Sequence, residues 1–539
     1  GNLETVHTGA NTTWASCRGT IGMKSGKFYF EWTNRYAGGG LYGIANAAAS
    51  TNPVGTGAGG WTWGGSNRYF NGSSAGTGLA SNHQVDDVIQ IAFDADTGKL
   101  WFGRNNTFYD SSWGTTGNPG AGTNNTTSVT TGVDYFPALA NLGNSGQSNA
   151  DPSVFNAGQR PFAYTPPTGF KSLCTTNLPD PTIADGSTAM DVVTYTGNGS
   201  TQSISGIGFS PDLVWIKNRS NAYNHVLFDV VRGSGGSKVL FSNRSTVEGG
   251  ATGEEGAKYG HLSSFNADGF TVAPGTDSPL WVSNNNDSYV SWAWDGGSST
   301  ASNTDGSITT NVRANASAGF SIIGYTGNAT VGATLGHGLN AAPEFMLFKN
   351  REDTLVWYAW HQAIGNTKHM RLNETLAATT RTEFLNSTSP TSSVITIGND
   401  AEVNATGQDI ICYAWTSVAG YSSFGSYTGN GSDDGPFVFT GFRPAFLLIK
   451  SADDGGTAYD WIIKDSERET FNPNTDFLCA NSGNAENVRG DGTGIDDLHI
   501  DFLSNGFKIR RLRGAINASG STLIYAAFGE HPFATARAR

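Results

Sequence analysis

Apolar and polar positions alternate with a period of two along most of the chain. Lys27-Phe-Tyr-Phe-Glu-Trp32 and Val88-Ile-Gln-Ile-Ala-Phe93 read as half-buried strands, and clusters of Gly, Asn, Ser and Asp separate such stretches throughout. The 3.6-residue period is nearly absent. It suggests one short helix, Thr367 to Leu376, where Asn373 and Thr375 are poor helix formers. Between two apolar strands, Asp94-Ala-Asp-Thr-Gly-Lys99 reads as a hairpin turn, favoured over a calcium loop. The pattern predicts an all-β protein. With 539 residues it exceeds the roughly 250–300 at which single cores stop growing, so several domains are expected.

The second half of the chain repeats itself. Tyr195-Thr-Gly-Asn198, Tyr325-Thr-Gly-Asn328 and Tyr427-Thr-Gly-Asn430 each precede a proline-led apolar strand ending in lysine: Pro211 to Lys217, Pro343 to Lys349 and Pro444 to Lys450. Aromatic strands follow, with Trp292-Ala-Trp294, Tyr413-Ala-Trp415 and Ala526-Ala-Phe528. Repeats of this length can each bury a core, so three consecutive β-sandwich-like modules are expected at 191–298, 299–419 and 420–539, arranged as a rod or arm. The proline-bearing stretch 178–190 reads as a linker.

Residues 1–177 resemble a SPRY domain. Lys27 to Trp32 is similar to that family's first paired strand, Tyr42-Gly-Ile-Ala45 to the strand after it, and Trp61 to Gly72 to its aromatic hairpin. Asp87 to Asp94 with Gly98 to Phe102 resembles its central hairpin, and Tyr135-Phe-Pro-Ala138 and Phe155-Asn-Ala-Gly158 complete the order. The family's usual Asn-Gly after that hairpin is replaced by Arg104-Asn105-Asn106 and a longer insertion. The resemblance implies a bent β-sandwich that binds partners through loops and is not catalytic. A SPRY domain followed by Tyr-Thr-Gly-Asn repeats is similar to virion and tail-fibre-like proteins of tailed bacteriophages. That implies a place on an extracellular particle, other virion proteins and host surface polysaccharide as partners, and a homo-oligomer, a trimer by analogy with phage fibres.

Composition narrows the partners. Seventy-two glycines, 12% aromatic and only 14% charged residues suit turn-rich β structure. A formal charge of −13 without a basic patch argues against nucleic acid and anionic membranes. No apolar run approaches the roughly 20 residues of a membrane span, and the missing initial Met suggests trimming. Cys17, Cys174, Cys412 and Cys479 are too scattered for a disulfide framework or zinc site and read as small buried hydrophobes.

Candidate chemistry is sparse. Trp61, Trp63 and Tyr69 could stack on sugar rings, although the SPRY resemblance favours core packing for at least two of them. Asp491, Asp496 and Asp497 form the best acidic cluster for a hard cation, but they lack EF-hand spacing and read better as a solvated loop. Gly72-Ser-Ser-Ala-Gly76 fits the nucleophile-elbow pattern by composition alone. His225, His337 and His361 stand singly and read as structural. No catalytic residue, metal or cofactor is expected. The expected function is a non-catalytic virion structural protein, a fibre or surface appendage for host-glycan recognition or assembly. The alternatives are a purely structural capsid-decoration protein and a polysaccharide depolymerase.

Overall fold

The computed structural model describes residues 4–5, 14–35, 40–47, 49, 54, 57–64, 66–77, 79, 82–142, 153–453, 458–488 and 498–532. The chain divides into two compact units, Gly1–Asp180 and Pro181–Arg539.

The first unit is a sandwich of two sheets whose main strands run antiparallel. One is built around Ser153–Asn156, Lys27–Thr33, Val88–Asp94 and Lys99–Arg104, the other around Tyr135–Leu142, Gly40–Asn46, Gly60–Trp63 and Asn67–Phe70. Alternation decides what each strand buries. Phe28, Phe30 and Trp32 enter the inter-sheet core with Ile89, Ile91 and Phe93, while Tyr29 and Trp101 turn to a second cluster with Phe170. The turn at Asp94 forms as expected, with the Thr97 amide donating to the Asp94 carboxylate at 3.3 Å and Gly98 at φ +69°. Asn105 and Asn106, at φ +49° and +67°, make a two-residue hairpin turn between Arg104 and Thr107. Asparagine tolerates that left-handed geometry, so the departure from Asn-Gly keeps the hairpin.

The second unit contains one strand arrangement three times. Met190–Thr196, Ser288–Trp294, Leu213–Asn218 and Val226–Asp229 lie side by side in that order. Phe320–Thr326, Asp409–Trp415, Phe345–Asn350 and Tyr358–His361 repeat the order within an eight-stranded sheet, and Ser422–Thr428, Thr522–Pro532, Phe442–Ser451 and Ile462–Asp465 do so again. Registers match: Leu213 pairs with Trp294 and Asp229, Phe345 with Trp415 and His361, Phe446 with Phe528 and Asp465.

Each of these sheets is buried on both faces. One face of the first, with Leu213, Trp215, Trp292 and Trp294, meets the equivalent faces of the other two in a common core. The opposite faces line separate cores, around Val214 and Phe228, Met346 and Trp360, and Leu447 and Ile462. Two-sided burial explains why Leu213-Val-Trp-Ile and its counterparts read as continuous apolar runs. The common core leaves an apolar cavity of ≈ 20 Å³ among Trp294, Trp415, Phe528, Leu213, Phe345 and Phe446.

Three expectations change. The repeats do not stand as an arm of separately closed modules, because their inner faces share one core. Thr367 to Leu376 is not a helix: Lys368–Arg371 is a strand pairing with Tyr358–His361, and Met370 and Leu372 both turn into the common core. Tertiary burial overrides the weak helical pattern there. Cys412 and Cys479 are buried, but Cys17 is exposed and Cys174 half-buried.

Candidate functional site

The Tyr-Thr-Gly-Asn turns are built alike. The tyrosine hydroxyls donate to the carbonyls of Val282, Val403 and Ile516 at 2.7–2.8 Å. A Cβ on Gly197, Gly327 or Gly429 would lie 2.1–2.3 Å from a backbone oxygen of the facing segment, so only glycine fits. Asn198, Asn328 and Asn430 each accept from the amide two residues on, at 2.8, 2.9 and 3.0 Å. Their own amides donate to Ser283 Oγ, Asn404 Oδ1 and Asn517 Oδ1. Every element of the signature except its threonine serves to lock a turn.

The lysines that end the proline-led strands are fully buried. Lys349 Nζ donates to the carbonyls of Asn350 at 2.6 Å and Leu355 at 3.0 Å, and Lys450 Nζ to those of Thr375 at 2.8 Å and Tyr459 at 2.9 Å. Burial lowers the pKa of Lys217 and Lys349 to about 7, with carbonyl oxygens standing in for water.

Three seams join the repeats. At the seam of the second with the first, the Trp357 indole donates to the Phe241 carbonyl at 2.8 Å; at the seam of the third with the second, Trp461 donates to the Arg371 carbonyl at 2.9 Å. His225 holds the corresponding place in the first repeat, and its Nδ1 accepts from Trp215 at 2.9 Å. Behind each stands an asparagine, Asn243, Asn373 or Asn481, whose side-chain oxygen accepts the amide of His225, Trp357 or Trp461.

Charge follows the seams. Glu248 of the first repeat pairs with Arg351 of the second at 2.6 Å, and Glu486 of the third with Arg219 of the first at 2.7 Å. The same places at the remaining seam hold Ala378 and Ala452. In all three cases one backbone hydrogen bond joins the pair: Glu248 to Arg351 at 2.7 Å, Glu486 to Arg219 at 3.0 Å and Ala378 to Ala452 at 3.0 Å. Buried Asp229–Arg232 and Asp465–Arg468 pairs lie beneath the charged seams, receiving Tyr413 Oη at 2.7 Å and Trp292 Nε1 at 3.0 Å from the neighbouring repeat. His361 replaces the aspartate at the third seam and lies 3.2 Å from the Tyr525 carbonyl. The three seams close a ring. Sequence reading missed these residues because the asparagines follow their partners at 18, 16 and 20 residues.

The sequence candidates fall elsewhere. Trp61 and Trp63 are core residues, 7% and 0% exposed, packed edge-on against Tyr135 and Phe102, and therefore offer no sugar platform. Tyr69, on Asn67–Phe70, is half-buried. Asp491, Asp496 and Asp497 lie outside the described residues. Ser73–Thr77 is a strand, not an elbow. His225, His337 and His361 are fully buried. Among the described residues, no group of three His, Cys, Asp or Glu side chains is placed to hold a metal ion.

The most perturbed carboxyl pair is Asp400 and Glu402. Burial, then the hydrogen bond and charge of Asp400, raise Glu402 to about 7. Burial also disfavours ionised Asp400, but hydrogen bonds from Glu402, Arg381 and Tyr358 hold it below its ordinary range. Arg381 Nε lies 2.6 Å and Tyr358 Oη 3.1 Å from Asp400. The pair can hold one proton between two carboxyl groups. The other repeats place Pro279 and Arg513 at the position of Asp400, as the equivalent turn bonds from Ser283, Asn404 and Asn517 show.

Among solved structures, the SPRY domain of human HERC1 is similar over 30% of this chain and 95% of its own length, at 13% identity and a TM-score of 0.22. No curated protein matches the chain. A family model described as "Domain of unknown function (DUF7483)" matches residues 185–532, a span lying wholly within the second unit and holding all three turns and all three seams. The chain belongs to that family of unknown function.

Proposed function

We propose that the chain is a non-catalytic structural and recognition component of a bacteriophage virion, a fibre or surface appendage that contacts host-surface glycan or neighbouring virion proteins. The phage assignment rests on the order of a SPRY-like segment and Tyr-Thr-Gly-Asn repeats. The observation that best supports a structural role is the use made of the repeated polar residues: the turn asparagines, strand-end lysines and seam ion pairs bond to other parts of the same chain. Burial of Trp61 and Trp63 favours a second reading, particle assembly or capsid decoration without glycan contact, because it removes the leading aromatic platform.

The test is binding of the full chain to a panel of immobilised bacterial surface polysaccharides, with release of reducing ends followed in the same wells. Binding without release supports recognition, and competition by free glycan identifies the ligand class. Absence of binding across the panel favours the assembly reading. Steady release overturns the non-catalytic assignment in favour of a depolymerase.

A further inference from the structure

We propose that Lys464 and Asn474 in the third repeat are joined by an intramolecular isopeptide bond, formed with loss of ammonia. Lys464 sits where the fold otherwise places a core aromatic. By register against the neighbouring strand, its counterparts are Phe228 in the first repeat and Trp360 in the second, both fully or almost fully buried. A lysine there is 0% exposed, and among the described residues no carboxylate forms an ion pair with it. Burying such a group is costly, and the same fold succeeds twice with an apolar residue instead. The strand-end lysines differ in this respect, since all three repeats have them.

The geometry brings an amine to an amide. Lys464 Nζ lies 3.4 Å from Asn474 Oδ1, and Asn474 is 1% exposed. The carbonyls of Asn474, Thr475 and Asp476, at 3.1–3.2 Å, hold the amine on its other sides. Burial, and then the charge of Arg468, hold Lys464 down to about 7 against the opposing charges of Asp476, Asp465 and Glu469, so a neutral, nucleophilic amine is within reach near neutral pH. Asn474 Nδ2 donates to the carbonyls of Asp465 at 2.7 Å and Glu469 at 3.1 Å, which fix the amide and can accept from a departing ammonia.

In the reaction the Nζ lone pair attacks Asn474 Cγ and a C–N bond forms. A proton passes from Nζ to Nδ2, the Cγ–Nδ2 bond breaks, and ammonia leaves. One primary amine and one primary amide become one secondary amide plus ammonia, with no oxidant and no cofactor. The product ties Ile462–Asp465 to the segment that Asn474 pins to Ile500, through backbone bonds of 2.7 and 3.1 Å.

The test is the intact mass of the full chain, denatured and desalted, followed by proteolysis. The expected result is a chain lighter than its sequence by one ammonia, with one branched peptide joining the segments that carry Lys464 and Asn474. The Lys464→Met variant, which keeps an apolar stem in the core, should show the full sequence mass. An unmodified wild-type mass overturns the proposal. So does an ammonia deficit with the two peptides separate, which marks a succinimide, or a deficit that persists in Lys464→Met.

Discussion

Among the described residues, two seams of the second unit carry charged pairs and the third does not. Where the first repeat meets the second, and the third meets the first, a buried aspartate–arginine pair lies under a half-buried glutamate–arginine pair. Where the second meets the third, the corresponding residues are His361, Ala378 and Ala452, yet the backbone bond and the tryptophan donor are retained. The backbone bond and the common apolar core are therefore what all three seams share; the tryptophan donor is found at two of them, with His225 in its place at the other, and the charges are likewise found at two. Where one member of a charged set is absent, its partners are absent too, as expected if a lone buried charge costs more than none.

Removing one charge from a paired seam should have the largest effect. Arg232→Ala strands Asp229 and part of Glu248 in a site where the arginine side chain is fully buried, and should destabilise the second unit by about 3–5 kcal/mol. The double variant Asp229→His with Arg232→Ile copies His361 and Ile364 and should cost much less. Urea unfolding of both decides it. Equal losses would mean that the ion pair itself, and not the stranded charge, sets the cost.

The retained donors come next. Trp357→Phe takes the indole donor from the Phe241 carbonyl and leaves it only a long bond of 3.4 Å from the Arg244 amide, which should cost about 1–3 kcal/mol. Trp461→Phe does the same at the uncharged seam, where the Arg371 carbonyl keeps only the Glu374 amide at 3.3 Å. Similar losses in thermal or urea unfolding would show that the donor acts independently of the charges; a much larger loss at the uncharged seam would show that the charges share its role.

The strand-end lysines add a dependence on pH. Lys349 is held at about 7 when folded and titrates near its ordinary value, about 10.4, when unfolded. Between those values the unfolded chain binds the extra proton, so stability from this group rises with pH, by at most about 1.4 kcal/mol per unit. As pH falls through 7 the folded lysine is protonated as well and the slope vanishes. The gain in unfolding free energy from pH 7 to pH 9 should therefore be smaller in Lys349→Met than in the parent chain. An unchanged gain would show that the carbonyl cage keeps the ammonium charged.

Much of this fold is legible in local sequence, and its assembly is not. The period-two alternation identifies the sandwich strands around Phe30 and Ile91, and the Tyr-Thr-Gly-Asn signature marks turns whose bonds lie within a few residues or across one facing segment. The seam pairs escape because they join residues 103 and 267 positions apart, across loops of unequal length. Trp61 and Trp63 lie in the core, the placement that the SPRY resemblance favours over a sugar platform. Lys464 is invisible as an anomaly until register aligns it with Phe228 and Trp360.

The smallest expected effect is also the most direct test of the seam comparison. Ala378→Glu with Ala452→Arg grafts the missing pair onto the uncharged seam, at positions whose backbones already hydrogen-bond as in the charged seams. Ala452 is buried in the common core and Ala378 half-buried beside it, so Ala452→Arg alone should destabilise the unit, whereas pairs near the surface contribute about 0–1 kcal/mol and urea unfolding of the double variant should show a gain no larger than that. The charged seams add one further element, a second contact beneath: Glu248 also binds Arg232, and Glu486 also binds Arg468. Without an arginine in place of Ile364, the grafted glutamate has one partner where the native ones have two. A gain well above 1 kcal/mol would show that the upper pair alone accounts for the charged seams. A loss in the double variant would show that His361 and its neighbours exclude charge from this seam.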